Sequence, residues 1–245
     1  MGQFEPGGES QPRRMVPSKQ VLEEIGSNML TDAGIQEARA EGGLDVEPFD
    51  DACLRSASYD FRIGNQAFVS GSDGIIDVAN RGLVIIDPGE FAMLVTRESV
   101  SCGDQFAAQL GLESQYARQG LVLLSGPQID PGFHGVLIVR VTNLAPRRIT
   151  LAYEAPFLTV QFFKLERPVA KPYAGSRQGQ TGLRPGDLEE LTHPDSPTLG
   201  GMVKSLSSLA ADVGDLKSSV KWMAWAIPVI VALGMTIVGI IVAVK

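Results

Sequence analysis

Between Leu44 and Leu165 the chain repeats short apolar or alternating runs: YDFRIG, RGLVIID, EFAMLVT, GLVLLSG, GVLIVRVTN, ITLAY and FLTVQFFKL. Asp-Pro-Gly, Gly-Pro and Asn-Leu-Ala-Pro breaks separate them. Runs of this length bounded by turn formers predict β-strands. No long helical pattern intervenes, so a β-sandwich or barrel is expected ahead of a doubly wound parallel sheet. One helix precedes the strands: Thr31 is placed to cap a stretch running through Ala40, and Gly42-Gly43 follow where a left-handed cap would sit.

The flanks read differently. Residues 1–28 mix Gly, Pro, Ser and charges without apolar periodicity, which predicts a disordered tail. After Tyr173 the pattern loosens, and residues 183–201 (LRPGDLEELTHPDSPTLGG) read as a polar linker rich in turn formers. Met202, Leu206, Leu209, Val213, Leu216, Val220 and Met223 then follow in alternating steps of four and three. This heptad spacing predicts a coiled-coil stalk over 202–221, although Gly214 interrupts it; a lone amphipathic helix on a lipid surface is the other reading. Trp222 to Val244 contains no charged residue and is long enough, at about 1.5 Å per residue, to cross a bilayer core of about 30 Å. A single C-terminal transmembrane helix is therefore expected over 222–244, in preference to a helix buried in the core. Trp222 and Trp225 stand where an aromatic belt would lie.

Charge and cysteine content narrow the partners. The net charge of -7 and the absence of a Lys/Arg-rich run argue against duplex nucleic acid. Two widely spaced cysteines, with no apolar stretch near the start, indicate neither a disulfide framework nor secretion, so the head is expected in the cytoplasm with the bilayer as one partner. No Cys/His cluster has zinc spacing and no phosphate-binding GxxxxGK[ST] loop occurs. His134 reads as a loop histidine and His193 falls in the linker.

Candidate chemistry comes from a set of stretches taken together: MLTDAGIQEARAEGGLDVEPFDDACLRSASYDFRIGNQ, PGEFAMLVTRE, SQYARQGL, QIDPGFHGVLIVRVTN, FFKLERPVAKPY and RQGQTG. In order and spacing, from Met29 to Gly182, they resemble the dCTP deaminase family. The resemblance implies a mainly β, dUTPase-like head over 29–182, a distorted barrel or jelly roll. It also implies a homotrimer with deoxypyrimidine nucleoside triphosphate sites at the subunit interfaces. No cofactor is required by that chemistry, and Mg2+ would arrive with the triphosphate.

Matching letters carry specific roles across. Ser114 and Arg118 of SQYAR correspond to a hydroxyl and guanidinium at the nucleotide, and an Arg fork suits phosphate oxygens. Taken alone, the two would read as ordinary surface residues. Gln178, Gly179 and Gln180 match a segment that closes over the triphosphate, though a Gly-flanked polar stretch also fits any loop. Asp130, in Asp-Pro-Gly, matches an acidic residue beside the sugar; the related dUTPases hold the attacking water there. Without the resemblance, Asp130 reads as a turn former, as Asp87 does in IIDPGE.

The departures point further. The family places a proton-moving Glu ten residues after that Asp, and here the position is Arg140. Alternation along GVLIVRVTN puts Arg140 on the face shared by Val136 and Ile138. Arginine keeps its proton near neutral pH and so is no general acid or base. Tyr153-Glu154, Thr159 and Ser176-Arg177 also depart from the pattern. The expectation is a membrane-anchored trimer that binds dCTP or dUTP as a sensor or effector, with Arg140 reading an anionic ligand. Arg140 pairing with Asp130, Glu113 or Glu154 in a purely structural trimer is one alternative. The other is an active enzyme, either hydrolysing dUTP or dCTP through Asp130 or deaminating through Glu113 or Glu154.

Overall fold

The computed structural model describes residues 29–189 and, further on, 205, 206, 208, 209, 212–218, 220–224, 226–228 and 234. The tail over 1–28 lies outside the described residues, as do most of the linker and most of the 222–244 stretch. Among the described residues, no helix is long and apolar enough to cross a membrane.

Helix α1 (Asp32–Ala40) begins where the sequence predicts, with the Thr31 side chain accepting a hydrogen bond from the Gly34 amide. That cap satisfies one of the amides left open at a helix start. Ile35 and Ala38, three residues apart, share the buried face. Past the helix end, Gly42 adopts a φ of 73°, in the left-handed region that glycine enters without steric cost.

Twelve strands follow: β1 (Leu44–Glu47), β2 (Leu54–Arg55), β3 (Ser58–Val69), β4 (Ile76–Asp77), β5 (Leu83–Ile86), β6 (Phe91–Cys102), β7 (Phe106–Leu112), β8 (Leu121–Leu123), β9 (Gln128–Ile129), β10 (His134–Asn143), β11 (Ile149–Ala152) and β12 (Pro156–Lys164). Three short helices interrupt or follow them: α2 (Val78–Arg81), α3 (Ser114–Gln119) and α4 (Pro185–Glu189). The main sheet runs β8-β10-β6-β3-β12-β7-β9, with β1 on β6 and β2 and β4 on β3, while β5 and β11 form a separate pair. Every named strand pairing is antiparallel, so the head is a mainly β domain and not a parallel α/β sheet.

Strand β10 shows how the pattern becomes a wall. Its residues alternate, with Leu137, Val139 and Val141 buried in the main core and Val136, Ile138 and Arg140 on the opposite, half-buried face. A bulge between Val136 and Ile138 shifts the register against β6, and the Leu137 amide, freed from the ladder there, donates to Thr96 Oγ1 at 2.8 Å. The main core gathers Tyr59, Phe61, Phe157 and Phe162, all fully buried. On the other face a smaller apolar cluster joins Phe68, Met93 and Val95 to Leu183, with Leu188 packed alongside. Residues 183–189, expected to start the linker, are thus part of the folded head.

Of the buried carboxylates among the described residues, one is completely enclosed. Glu98 is fully buried on β6 and receives both the amide of Arg62 (2.7 Å) and its Nε (2.6 Å), while Arg62 Nη1 reaches Asp50 at 2.7 Å. Burial pushes the Glu98 carboxyl above its usual range, against the pull of Arg62.

Beyond the head, the described heptad positions Leu206, Leu209, Val213, Leu216, Val220 and Met223 are helical and exposed, between 45% and 66%. Met202 lies outside the described residues.

Candidate functional site

The site lies where the two ends of the curled sheet approach each other. A cavity of about 410 Å³ is lined by Leu110 of β7, Gln128 and Ile129 of β9, the 124–126 turn after β8, and residues 137–140 of β10. The 124–128 connection ties both edges together. Its Leu124 amide donates to the Arg140 carbonyl at 2.8 Å, and Ser125 Oγ accepts from the Arg140 amide at 2.7 Å. At the other end, the Pro127 carbonyl accepts from the Leu110 amide at 2.8 Å.

Two loops close the sides. The Asp130-Pro131-Gly132-Phe133 turn is pinned by the Tyr173 amide, which donates to the Pro131 carbonyl at 2.7 Å, and by an edge-on stack of Phe133 on Tyr173 with centroids 5.5 Å apart. Gly132, at φ 85°, is required here: a Cβ would lie 2.6 Å from the Pro172 side chain. Asp130 lines the cavity, and Gln128 Nε2 donates to its Oδ1 at 2.7 Å. The 178–180 segment folds back along the start of β10. Gln178 accepts from the His134 amide and donates to the Gly132 carbonyl, while the Gly179 amide donates to the His134 carbonyl.

Gln180 is the member of that segment that reaches the cavity. Its Nε2 donates to the Val136 carbonyl at 2.7 Å, which fixes the amide orientation, and its Oε1 is buried without a hydrogen-bond partner among the described residues. A buried acceptor left open in this way is costly unless something donates to it.

Three further charged groups share the space. Arg140 lines the cavity together with Arg177 and Asp187. The Asp187 side chain is only 5% exposed; its Oδ1 meets Arg177 Nη1 at 2.5 Å, and its Oδ2 accepts from the Arg184 amide at 2.8 Å. Burial opposes its ionisation, yet the Arg184 amide and the Arg177 guanidinium together hold its carboxyl below the usual range.

The cavity therefore gathers Asp130, Arg140 and Gln180 from the sequence-predicted set. Ser114 and Arg118 lie elsewhere, exposed on α3, and do not line it. Neither Glu113 nor Glu154 lines it either: Glu154 pairs with Arg97 Nη1 at 2.5 Å, and Glu113 interacts electrostatically with Arg55 and Tyr116. Neither carboxylate therefore faces the cavity of its own chain. Thr159, on β12, gives its hydroxyl to Asp60 at 3.1 Å and does not line the cavity. Among the described residues no three His, Cys, Asp or Glu side chains are grouped to hold a metal ion.

A family profile described as dCTP deaminase-like matches residues 29–165. The chain belongs to this dCTP deaminase-like family. It is 38% identical over 138 residues to a dCTP deaminase of Pyrococcus horikoshii, covering 56% of this chain and 86% of that protein. A dUMP-forming dCTP deaminase of Aquifex aeolicus is 30% identical over 176 residues, covering 66% of this chain and 98% of the relative. The crystal structure of a 2'-deoxycytidine 5'-triphosphate deaminase from Agrobacterium tumefaciens aligns at 17% identity with a TM-score of 0.47, over 56% of this chain and 47% of that one. Asp187 and the segment around it lie beyond the residues that the dCTP deaminase-like profile matches. Sequence reading did not single out Asp187, because RPGDLEEL carries only turn and surface signals; the apolar anchors Leu183 and Leu188 at either side were the available clue.

Proposed function

We propose that the head binds a deoxypyrimidine nucleoside triphosphate, dCTP or dUTP, without deaminating it, and works as a sensor or effector and not as a deaminase. The observation that carries this reading is that Arg140 lines the same cavity as Asp130; the resemblance puts a proton-moving carboxylate at its position. A guanidinium holds its proton throughout the physiological range, so it binds an anion but relays nothing. Asp187 does not substitute. Its carboxyl is clamped in the ionised form by Arg177 and the Arg184 amide, whereas a general acid needs a pKa near the working pH. The open Oε1 of Gln180 supplies an acceptor for an N–H or O–H donor on the ligand. Support for a nucleotide comes from the named activity of the relatives. Magnesium would enter as part of the triphosphate ligand.

The assembly we propose is a homotrimer whose sites each need two chains. Ser114 and Arg118 stand outside the cavity of their own chain, which fits their serving a neighbour's. The exposed heptad positions fit a stalk made by copies of this chain, and the uncharged Trp222–Val244 stretch fits an anchor that leaves the head in the cytoplasm.

A second reading keeps an enzyme. Asp130 lines the cavity with one oxygen fixed by Gln128, a geometry suited to holding a water for triphosphate hydrolysis. One relative is named as dUMP-forming. Incubation with dCTP or dUTP and magnesium, followed by product separation, decides between them. Binding without turnover is expected; pyrophosphate release selects the second reading, and ammonia release from dCTP overturns the first.

A further inference from the structure

The segment that leaves the cavity toward the heptads is fastened to the head at four residues. Leu183 is 8% exposed, seated on Phe68, Met93 and Val95, and its amide donates to Gln66 Oε1 at 3.0 Å. Four residues on, the Asp187 carboxylate sits in the cavity against Arg177. Leu188 returns to the apolar cluster that holds Leu183. Arg184 adds a tie, its Nη1 donating to the Ser176 carbonyl at 3.2 Å.

This arrangement places a resident anion inside a cavity whose cationic side chains are Arg140 and Arg177. Such a position suits a carboxylate or a phosphate equally, since both accept from a guanidinium. The two do not suit it together, because like charges at short range in a partly dry cavity repel strongly. We infer that residues 183–189 form a self-docking strap whose Asp187 carboxylate competes with ligand phosphates for the cavity, so that anion binding and strap docking exclude each other. The inference rests on the cavity being a polyphosphate site, as proposed above. Because 183–189 connects the head to the residues from Met202 onward, strap release is the route by which an occupied cavity alters the C-terminal region. By linkage, whatever weakens the strap strengthens the ligand, by up to the same factor.

The test titrates full-length protein, Asp187→Asn and Leu183→Ala with dCTP, dUTP and inorganic tripolyphosphate, while hydrogen exchange follows residues 183–189. Asp187→Asn removes the charge at nearly constant shape. Leu183→Ala loosens an apolar anchor and leaves every cavity charge in place. Both variants are expected to bind tighter than wild type, Asp187→Asn by about tenfold or more, and ligand should speed exchange of 183–189 in the wild type. Equal affinities, or slower exchange on binding, overturn the competing strap and leave the nucleotide reading intact. Displacement by tripolyphosphate without binding of either nucleotide keeps the strap and overturns the nucleotide reading. No binding of any probe, even by Asp187→Asn, overturns both.

Discussion

Arg177 Nη1 lies 2.5 Å from Asp187 Oδ1, and both side chains line the cavity that also takes in Asp130 and Arg140. The pair brings a cation from the 176–180 region against an anion from α4, so the sheet's open corner is covered by charges that satisfy each other. Asp187 is held ionised, and Arg140, which lines the same cavity, is a permanent cation.

The same pair makes the strap sensitive to acid. The Asp187 carboxyl titrates lower in the folded protein than the ordinary value of 3.8, so its stabilising contribution is present above that value and is lost as pH falls through its folded pKa. The melting temperature of the wild type should exceed that of Asp187→Asn at pH 7, and the gap should close in strongly acid buffer. A gap that persists or widens on acidification would contradict the assignment.

Arg140→Ala is expected to weaken nucleotide binding by about tenfold or more, the effect of losing a hydrogen bond from a charged donor of about 1.5–3 kcal/mol. Isothermal titration reads it directly. Arg140→Lys should recover only part of the loss, because an ammonium lacks the planar fork.

Separation of Ser114 and Arg118 from the cavity gives a complementation test. Arg118→Ala and Arg140→Ala should each bind poorly alone. Refolded together in equal amounts, about a quarter of the interfaces would pair an intact cavity with an intact Arg118, and that share of binding should return. A site built within one chain would recover none.

The ion pair of Arg62 with the buried Glu98 predicts a large stability effect at residues that do not line the cavity. Arg62→Ala leaves Glu98 fully buried without its partner and should cost about 3–5 kcal/mol in denaturant unfolding. Glu98→Gln, which removes the charge and keeps the acceptor, should cost less.

The sequence pattern exposed those parts of the fold that depend on local rules. Thr31 caps α1 by a contact three residues away, and the alternation of GVLIVRVTN maps onto the two faces of β10, putting Arg140 on the face with Val136 and Ile138. Strand β7 escaped notice because FAAQLGL has no β-branched residue and little alternation; its partners β12 and β9 supply the reason it is a strand. In the site, Asp130, Arg140 and Gln180 were legible through the resemblance, whereas Asp187 was not. Its role depends on where Leu183 and Leu188 dock, which is a long-range packing outcome that a turn-rich polar stretch does not announce. The Arg62–Glu98 pair was illegible for the same reason, lying 36 residues apart on neighbouring strands.

On the proposed reading, Arg140 in place of a proton-moving carboxylate leaves a site that holds nucleotide and does not deaminate it. Calorimetric titration of the full-length protein with dCTP and magnesium tests this most directly, because it registers binding and turnover in one trace. Saturable heat that ends when the sites are full, with dCTP recovered unchanged, is the predicted result. Continuing heat with ammonia and dUTP accumulating in the cell, or no heat at any concentration, would contradict it.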